Sequence, residues 1–129
     1  MEPRSVEPAQ NGTQGVEEVC ARSIEFVAVP DMAARLQATL PGAIRSVLQK
    51  SEGFAGCAVM VSEEEARLVT VVTFWRGKER KSKANANALW VEQLLEPYID
   101  RQLRVNTLRA QFAWPAGTPT GKIADFEGE

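Results

Sequence analysis

The segment Arg67–Trp75 constrains the fold of this chain more than any other part of the sequence. The run Leu-Val-Thr-Val-Val-Thr-Phe-Trp within it is rich in β-branched and aromatic residues, which is the composition of a β-strand. Its apolar residues fall on both faces instead of alternating, a pattern typical of strands that are covered from both sides. We therefore predict a central strand here, in a sheet that needs cover on each face.

The rest of the central segment predicts three further strands and two helices. Phe54–Val61 is expected to pair with Arg67–Trp75 as a hairpin, because the two strands are close in sequence. The other two strands are predicted at 23–29 and 102–114. One helix is predicted after Asp31, its expected cap, with a kink or a new helix at Pro41. A second helix is predicted over 79–95. The order β-α-β-β-α-β predicts an α+β, ferredoxin-like fold with an antiparallel sheet.

The two ends of the chain differ in composition from its middle. Residues 1–19 and 115–129 are polar, acidic and rich in proline and glycine, and we interpret them as flexible tails around a domain at 20–114. No apolar run approaches the length that spans a bilayer. The polar start, Met1 to Gly15, does not resemble a secretory signal. We therefore expect a cytoplasmic protein without a membrane partner.

The sequence contains no histidine, which excludes several classes of chemistry. Histidine-based acid/base catalysis, Ser-His-Asp and Cys-His nucleophiles and histidine ligation of metal or haem are all ruled out. The two cysteines, Cys20 and Cys57, are too few and too far apart for a metal framework or a disulfide scaffold. We predict no metal site and expect Cys57 to behave as a small buried apolar residue.

Two local features resemble the antibiotic biosynthesis monooxygenase family. The segment Ser51-Glu52-Gly53-Phe54-Ala55-Gly56 resembles the turn that follows the first helix in that family, and Leu68–Glu79 resembles its third strand. That strand ends in an apolar run, a tryptophan and a short polar turn into a helix. The resemblance covers about residues 22–113. It implies a homodimer in which two sheets pack into an α/β barrel, and it implies no cofactor.

The resemblance extends only in part to the family's catalytic residues. The tryptophan corresponds to Trp75, whereas the asparagine of some quinone-forming members corresponds to Val71. Their tyrosine falls near Lys81, and the haem-ligating histidine of another branch falls near Asn85 or Ala86. The known mechanisms of the family are therefore not implied for this chain.

A group of mostly aromatic residues forms the predicted ligand pocket. Its members are Trp75, Asn85, Trp90, Phe26 and Phe74. They could line an apolar cleft between helix and sheet, with Asn85 as a polar group. The alternative is that the aromatic residues fill the core and a dimer interface.

Cations cluster where the second helix is expected to begin. The predicted anion site consists of Arg76, Lys78, Arg80 and Lys83, with Lys81 beside them. Cations at that end oppose the helix dipole, and an anionic ligand would relieve the opposition. The alternative is an ordinary solvated face. The central segment is only mildly basic and its aromatic residues do not interleave with the cations, so we predict no nucleic-acid partner.

Two functions remain open from the sequence. One is a homodimeric, monooxygenase-like protein that binds a small, partly aromatic molecule, with cofactor-independent oxygenation as its expected chemistry if it is an enzyme. The other is a non-catalytic barrel for ligand sensing or protein association. A cavity beside Trp75 that a polar group reaches would favour an enzyme.

Overall fold

The computed structural model describes residues 16–113. Residues 19–109 form one compact unit, and residues 16–18 and 110–113 are assigned to a second one. The predicted tail at 115–129 and residues 1–15 of the predicted tail at 1–19 lie outside the described residues. Residues 16–19 are described and belong to the first strand, which begins at Val16.

The described residues form four strands, three α-helices and one 3-10 turn. In chain order they are β1 (Val16–Ala28), α1 (Ala33–Leu48), β2 (Phe54–Val61), β3 (Leu68–Trp75), α2 (Arg80–Ala86), α3 (Ala88–Leu95), the 3-10 turn Glu96–Tyr98 and β4 (Ile99–Ala113). This order confirms the predicted ferredoxin-like α+β fold. The main differences are an earlier start of β1 and a second helix divided in two.

The four strands form one sheet in the order β2-β3-β1-β4. β3 is antiparallel to β1, with Cys20 opposite Trp75 and Val27 opposite Leu68. β3 is also antiparallel to β2, so the predicted hairpin is confirmed. β4 runs antiparallel to β1 as well, because Arg104 contacts Glu25 while Thr107 contacts Arg22.

β3 lies between β2 and β1, as its composition predicts. Val69, Val71 and Trp75 are buried on the face that meets the helices, and Val72 is buried although it points to the other face. The core lies between the sheet and the helices, where Ile24 and Phe26 pack with the apolar stripe of α1. That stripe consists of Leu36, Leu40, Ile44 and Leu48.

The predicted helix cap at Asp31 is wrong. Asp31 has a φ of 66° and belongs to a turn closed by a hydrogen bond from the Met32 amide to the Val29 carbonyl. Aspartate tolerates this left-handed conformation in turns better than most residues. Met32 occupies the N-cap position and its side chain caps nothing.

Pro41 does not divide the first helix. α1 runs continuously from Ala33 to Leu48 with Pro41 inside it. The Gln37 carbonyl, one turn earlier, therefore has no amide donor at residue 41. Because Leu36, Leu40 and Ile44 on either side of Pro41 are buried against the sheet, packing holds the helix together at this position.

The predicted helix over 79–95 is two helices that meet at Asn87. The Asn87 side chain donates to the Lys83 carbonyl at 2.8 Å and accepts a hydrogen bond from the Ser51 hydroxyl at 3.4 Å. Asparagine side chains compete with the helix backbone for such partners, so α2 ends here. α3 begins at Ala88, and its buried residues are Val91 and Leu95.

The helices pack against one face of the sheet, and we call the opposite side the open face. Large apolar side chains on it include Val27, Met60, Phe74 and Leu108, assigned by strand alternation from the register. Met60 and Leu108 are 48% and 47% exposed. Among the described residues, no helix is long and apolar enough to cross a membrane.

Candidate functional site

Trp75 is one of the two predicted pocket residues that are fully buried. Its indole N–H donates to the Thr73 hydroxyl at 3.0 Å. Its ring meets that of Phe54 edge to face, with 5.4 Å between the centroids. The polar atom of Trp75 is thus satisfied inside the protein, and the packing around the ring is aromatic.

The other predicted pocket residues do not gather around Trp75. Phe26 shares the buried core with it, whereas Phe74 is half-buried and points to the open face. Trp90 is 56% exposed on the outer side of α3, and Asn85 is exposed on α2. In this chain the five residues thus lie in three different environments and do not line one cavity.

A cavity of about 360 Å³ lies between α3 and the β1–β4 part of the sheet. We call it the α3 cleft. Its lining residues are Ile24, Leu89, Glu92, Gln93, Leu95, Glu96, Ile99 and Gln102. Four of these eight side chains are aliphatic and four are carboxylates or amides. The polar groups can fix the orientation of a bound small molecule.

One carboxylate of the α3 cleft is held by an ion pair. The Arg22 guanidinium donates to a Glu92 carboxylate oxygen at 3.2 Å and to the Thr107 hydroxyl at 3.5 Å. Arg22 is on β1 and mostly shielded, with 18% of its side chain exposed, while that of Glu92 is 42% exposed. The pair fixes one carboxylate oxygen and leaves the other able to accept a hydrogen bond from a ligand.

The Arg22 guanidinium has one unusual atom. Its Nε–H is buried without a hydrogen-bond partner among the described residues. The hydrogen bonds to Glu92 and Thr107 are therefore what offsets the cost of burying this guanidinium. Because Thr107 lies on β4, Arg22 links Glu92 to the pairing of β1 with β4.

A second, larger cavity of about 550 Å³ lies where β3 leads into α2. We call it the β3–α2 cleft. Its lining residues are Glu52, Gly53, Phe54, Arg76, Gly77, Lys78, Glu79 and Lys83. Three of the four predicted anion-site residues meet here: Arg76, Lys78 and Lys83. The fourth, Arg80, is not among the lining residues and donates to the Gly77 carbonyl at 2.9 Å.

Gly53 fixes the floor of the β3–α2 cleft. Its carbonyl accepts a hydrogen bond from the Arg76 amide at 2.8 Å. Its φ is 89°, and a Cβ at this position would lie 2.9 Å from the Arg76 carbonyl oxygen. Only glycine meets both conditions, so the end of β3 is held against the start of β2.

The structure adds detail to the two cysteines. Cys20 is buried, whereas Cys57, expected to be buried, is half-buried. The Cys57 Sγ lies 3.7 Å from the Pro41 carbonyl oxygen. Burial raises the pKa of this thiol, against a smaller opposite effect of Arg45. Among the described residues, no group of three or more acidic or cysteine side chains could hold a metal ion.

Sequence reasoning missed Arg22 and Glu92. They are separated by 70 positions, and neither stands in a motif. The only available signal was that Glu92 follows the apolar position Val91 on an amphipathic helix, which does not predict a partner on β1.

Solved structures share this architecture. A candidate antibiotic biosynthesis monooxygenase from Bordetella bronchiseptica superposes with a TM-score of 0.56 at 15% identity, covering 73% of this chain and 98% of that one. A second one, from Nitrosomonas europaea, has a TM-score of 0.50 at 7% identity, with 77% and 94% covered. This chain has the antibiotic biosynthesis monooxygenase fold. The predicted resemblance is therefore confirmed at the level of the fold. Neither a protein-family model nor a curated protein sequence matches the chain.

Proposed function

We propose that this chain forms a homodimeric α/β barrel that binds a small, partly aromatic molecule in the α3 cleft. The observation that carries the proposal is a cavity with aliphatic walls and one fixed carboxylate, Glu92. Trp75 itself is fully buried and its N–H is satisfied, which argues against a direct contact between its ring and a ligand.

The lining of the α3 cleft selects the chemistry of the ligand. Leu89 and Ile99 offer an apolar surface, while Glu92 and Glu96 present carboxylates. Carboxylates accept hydrogen bonds and do not donate them when ionised. A matching ligand has an apolar ring and at least one hydroxyl group that donates, as phenols and quinols do.

The open face supports the homodimer. A sheet with helices on one side needs cover on the other, and this side carries Met60 and Leu108, both about half exposed. A second copy of the chain offers the same apolar surface with two-fold symmetry. Packing open face against open face would close the barrel that the fold predicts.

Cofactor-independent oxygenation is the second candidate function, and the position of the Glu92 carboxylate in the α3 cleft favours it. In such a reaction the substrate supplies all electrons: a methylene beside a phenol ring reacts with O₂ and becomes a carbonyl, while the second oxygen leaves as water with both hydrogens. Glu92 would accept the proton that leaves the substrate, and Arg22 would hold Glu92 in position. The solved neighbours named as candidate monooxygenases are consistent with this chemistry.

Binding is tested by calorimetry under nitrogen with naphthohydroquinone and its dimethyl ether. The two rings have similar apolar surfaces, but only the quinol donates hydrogen bonds. We expect the full chain to prefer the quinol. Glu92→Gln should weaken quinol binding about threefold to tenfold, since a hydrogen bond to a charged group is replaced by one to a neutral group.

Glu64→Gln, in the exposed β2–β3 turn, is the matched control and should leave binding unchanged. Equal affinity for quinol and ether, or no effect of Glu92→Gln, would contradict the proposed site. Oxygenation is tested with anthrone in an oxygen electrode. An enzyme should take up oxygen faster than the uncatalysed reaction, and Glu92→Gln should abolish this excess. Uptake at the background rate would leave only the binding function.

A further inference from the structure

The β3–α2 cleft has features of a binding site that the α3 cleft does not use. We propose that it is a second ligand site, which takes a small molecule with an anionic phosphate attached to an aromatic group. The two clefts are built from different residues. The second site therefore does not depend on the function proposed for the first.

Cations from two elements converge on this cleft. Arg76 and Lys78 lie on the turn after β3, and Lys83 projects from α2. A guanidinium can bind two oxygens of one phosphate, and ammonium groups add point charges around it. Three cations and two carboxylates, Glu52 and Glu79, line the cleft, so an anion meets an excess of positive charge there.

The cleft also has an apolar wall. Phe54 lines it and is itself held edge to face against the buried Trp75. A ring that is fixed from behind offers its free surface to a ligand at little entropic cost. This wall favours an aromatic phosphate over the inorganic ion.

A backbone hydrogen bond and a close contact hold two sides of the cleft together. The hydrogen bond from Arg76 to Gly53 and the close approach at Gly53 join the starts of β2 and of the turn. The adjacent Gly77 has a φ of 97°, so the turn keeps its backbone accessible next to the cations. A site that is already formed before binding loses less free energy to ordering.

Glu52 occupies part of this site in the structure. Its carboxylate lies 3.6 Å from the Lys83 Nζ, and its side chain is 87% exposed against 35% for Lys83. Such an exposed ion pair contributes little stability. A phosphate can replace the Glu52 carboxylate at Lys83, and Glu52 then acts as a weak competitor of the ligand.

The experiment is a titration of the full chain with phenyl phosphate, inorganic phosphate and phenol. Calorimetry measures binding, and NMR monitors the backbone amide resonances of the glycines. We expect phenyl phosphate to bind most tightly and to shift the Gly53 and Gly77 resonances. Lys83→Gln should weaken its binding about three- to fivefold, and Glu52→Gln should strengthen it about twofold, as expected for exposed charges.

Matched controls separate this site from general attraction to positive charge. Lys81→Gln lies on the same helix but does not line the cleft, and Glu64→Gln removes an exposed carboxylate elsewhere. Both should leave phenyl phosphate binding unchanged. The proposal is overturned if Lys81→Gln weakens binding as much as Lys83→Gln does, if Glu52→Gln has no effect, or if neither glycine resonance moves.

Discussion

At the scale of single residues, surroundings decide what a side chain does. Trp75 has a sequence context that suits either a ligand site or a core. In the structure its N–H donates to the Thr73 hydroxyl and its ring packs edge to face against Phe54. Trp90 is also a tryptophan, yet it lies on the outer side of α3 and is exposed. The same residue type thus has two roles in one chain.

Two glycines should respond in opposite ways to alanine. Gly53→Ala should lower the free energy of unfolding by about 1–3 kcal/mol, because φ is positive and the new Cβ would meet the Arg76 carbonyl. Gly42→Ala lies inside α1 with nothing within 4 Å of a Cβ, and should raise it by about 0.5–1 kcal/mol. Urea unfolding measures both, and equal signs would contradict the assignment of Gly53.

The thiol of Cys57 should make stability depend on pH under alkaline conditions. Burial raises its pKa in the folded protein, so the folded state keeps its proton at pH values where the unfolded chain has lost it. The free energy of unfolding should therefore fall as pH rises from the ordinary thiol pKa through the raised one. The free energy of unfolding of Cys57→Ser should change less with pH over that window. An equal change with pH in the variant and the wild type would argue against a raised pKa.

At the scale of elements, hydrogen bonds from side chains set the boundaries that periodicity cannot. The apolar stripe from Ala84 to Leu95 continues across Asn87 with helical spacing, so it predicts one helix. Asn87 instead binds the Lys83 carbonyl and the Ser51 hydroxyl. The end of α2 is therefore tied to the loop after α1, and this contact exists only in the folded chain.

Replacing the two asparagines of this region by alanine should separate these effects. Asn87→Ala loses both hydrogen bonds and should lower the free energy of unfolding by about 1 kcal/mol. Asn85→Ala is the matched control: the residue is exposed within α2, and alanine should raise stability by a few tenths of a kcal/mol, on the order of its helix propensity. Thermal unfolding with circular dichroism measures both. Stabilisation by Asn87→Ala would show that the break has another cause.

At the scale of the whole molecule, the two faces of the sheet differ in what covers them. The helices bury one face, and the open face presents Met60 and Leu108 to solvent. A second copy of the chain is the cover that we propose. A matched pair of residues on β4 tests it, since Leu108 and Leu103 are 47% and 45% exposed and point to opposite faces.

Leu108→Arg should convert the dimer into monomers, because it places charges in the apolar centre of the proposed interface. Leu103→Arg should leave the dimer intact. Light scattering after size-exclusion chromatography distinguishes a particle of twice 14.2 kDa from one of that mass. A wild-type monomer, or equal effects of the two substitutions, would contradict dimerisation through the open face.

The sequence by itself determined the order of elements and the central strand. Both follow from local composition, since β-branched and aromatic residues on both faces of 68–75 suit only a covered strand. It also placed Arg76, Lys78 and Lys83 together, because they are neighbours along the chain.

Only the tertiary structure decided the rest. The α3 cleft needs Ile24 from β1 and Glu92 from α3, and the Arg22–Glu92 pair joins residues that no local pattern relates. Asp31 lies in a turn before the helix because of its backbone conformation. α2 ends at Asn87 because of contacts that form on folding. Periodicity reports which face of an element is apolar. It does not report which other element that face packs against, and the two clefts lie where different elements pack together.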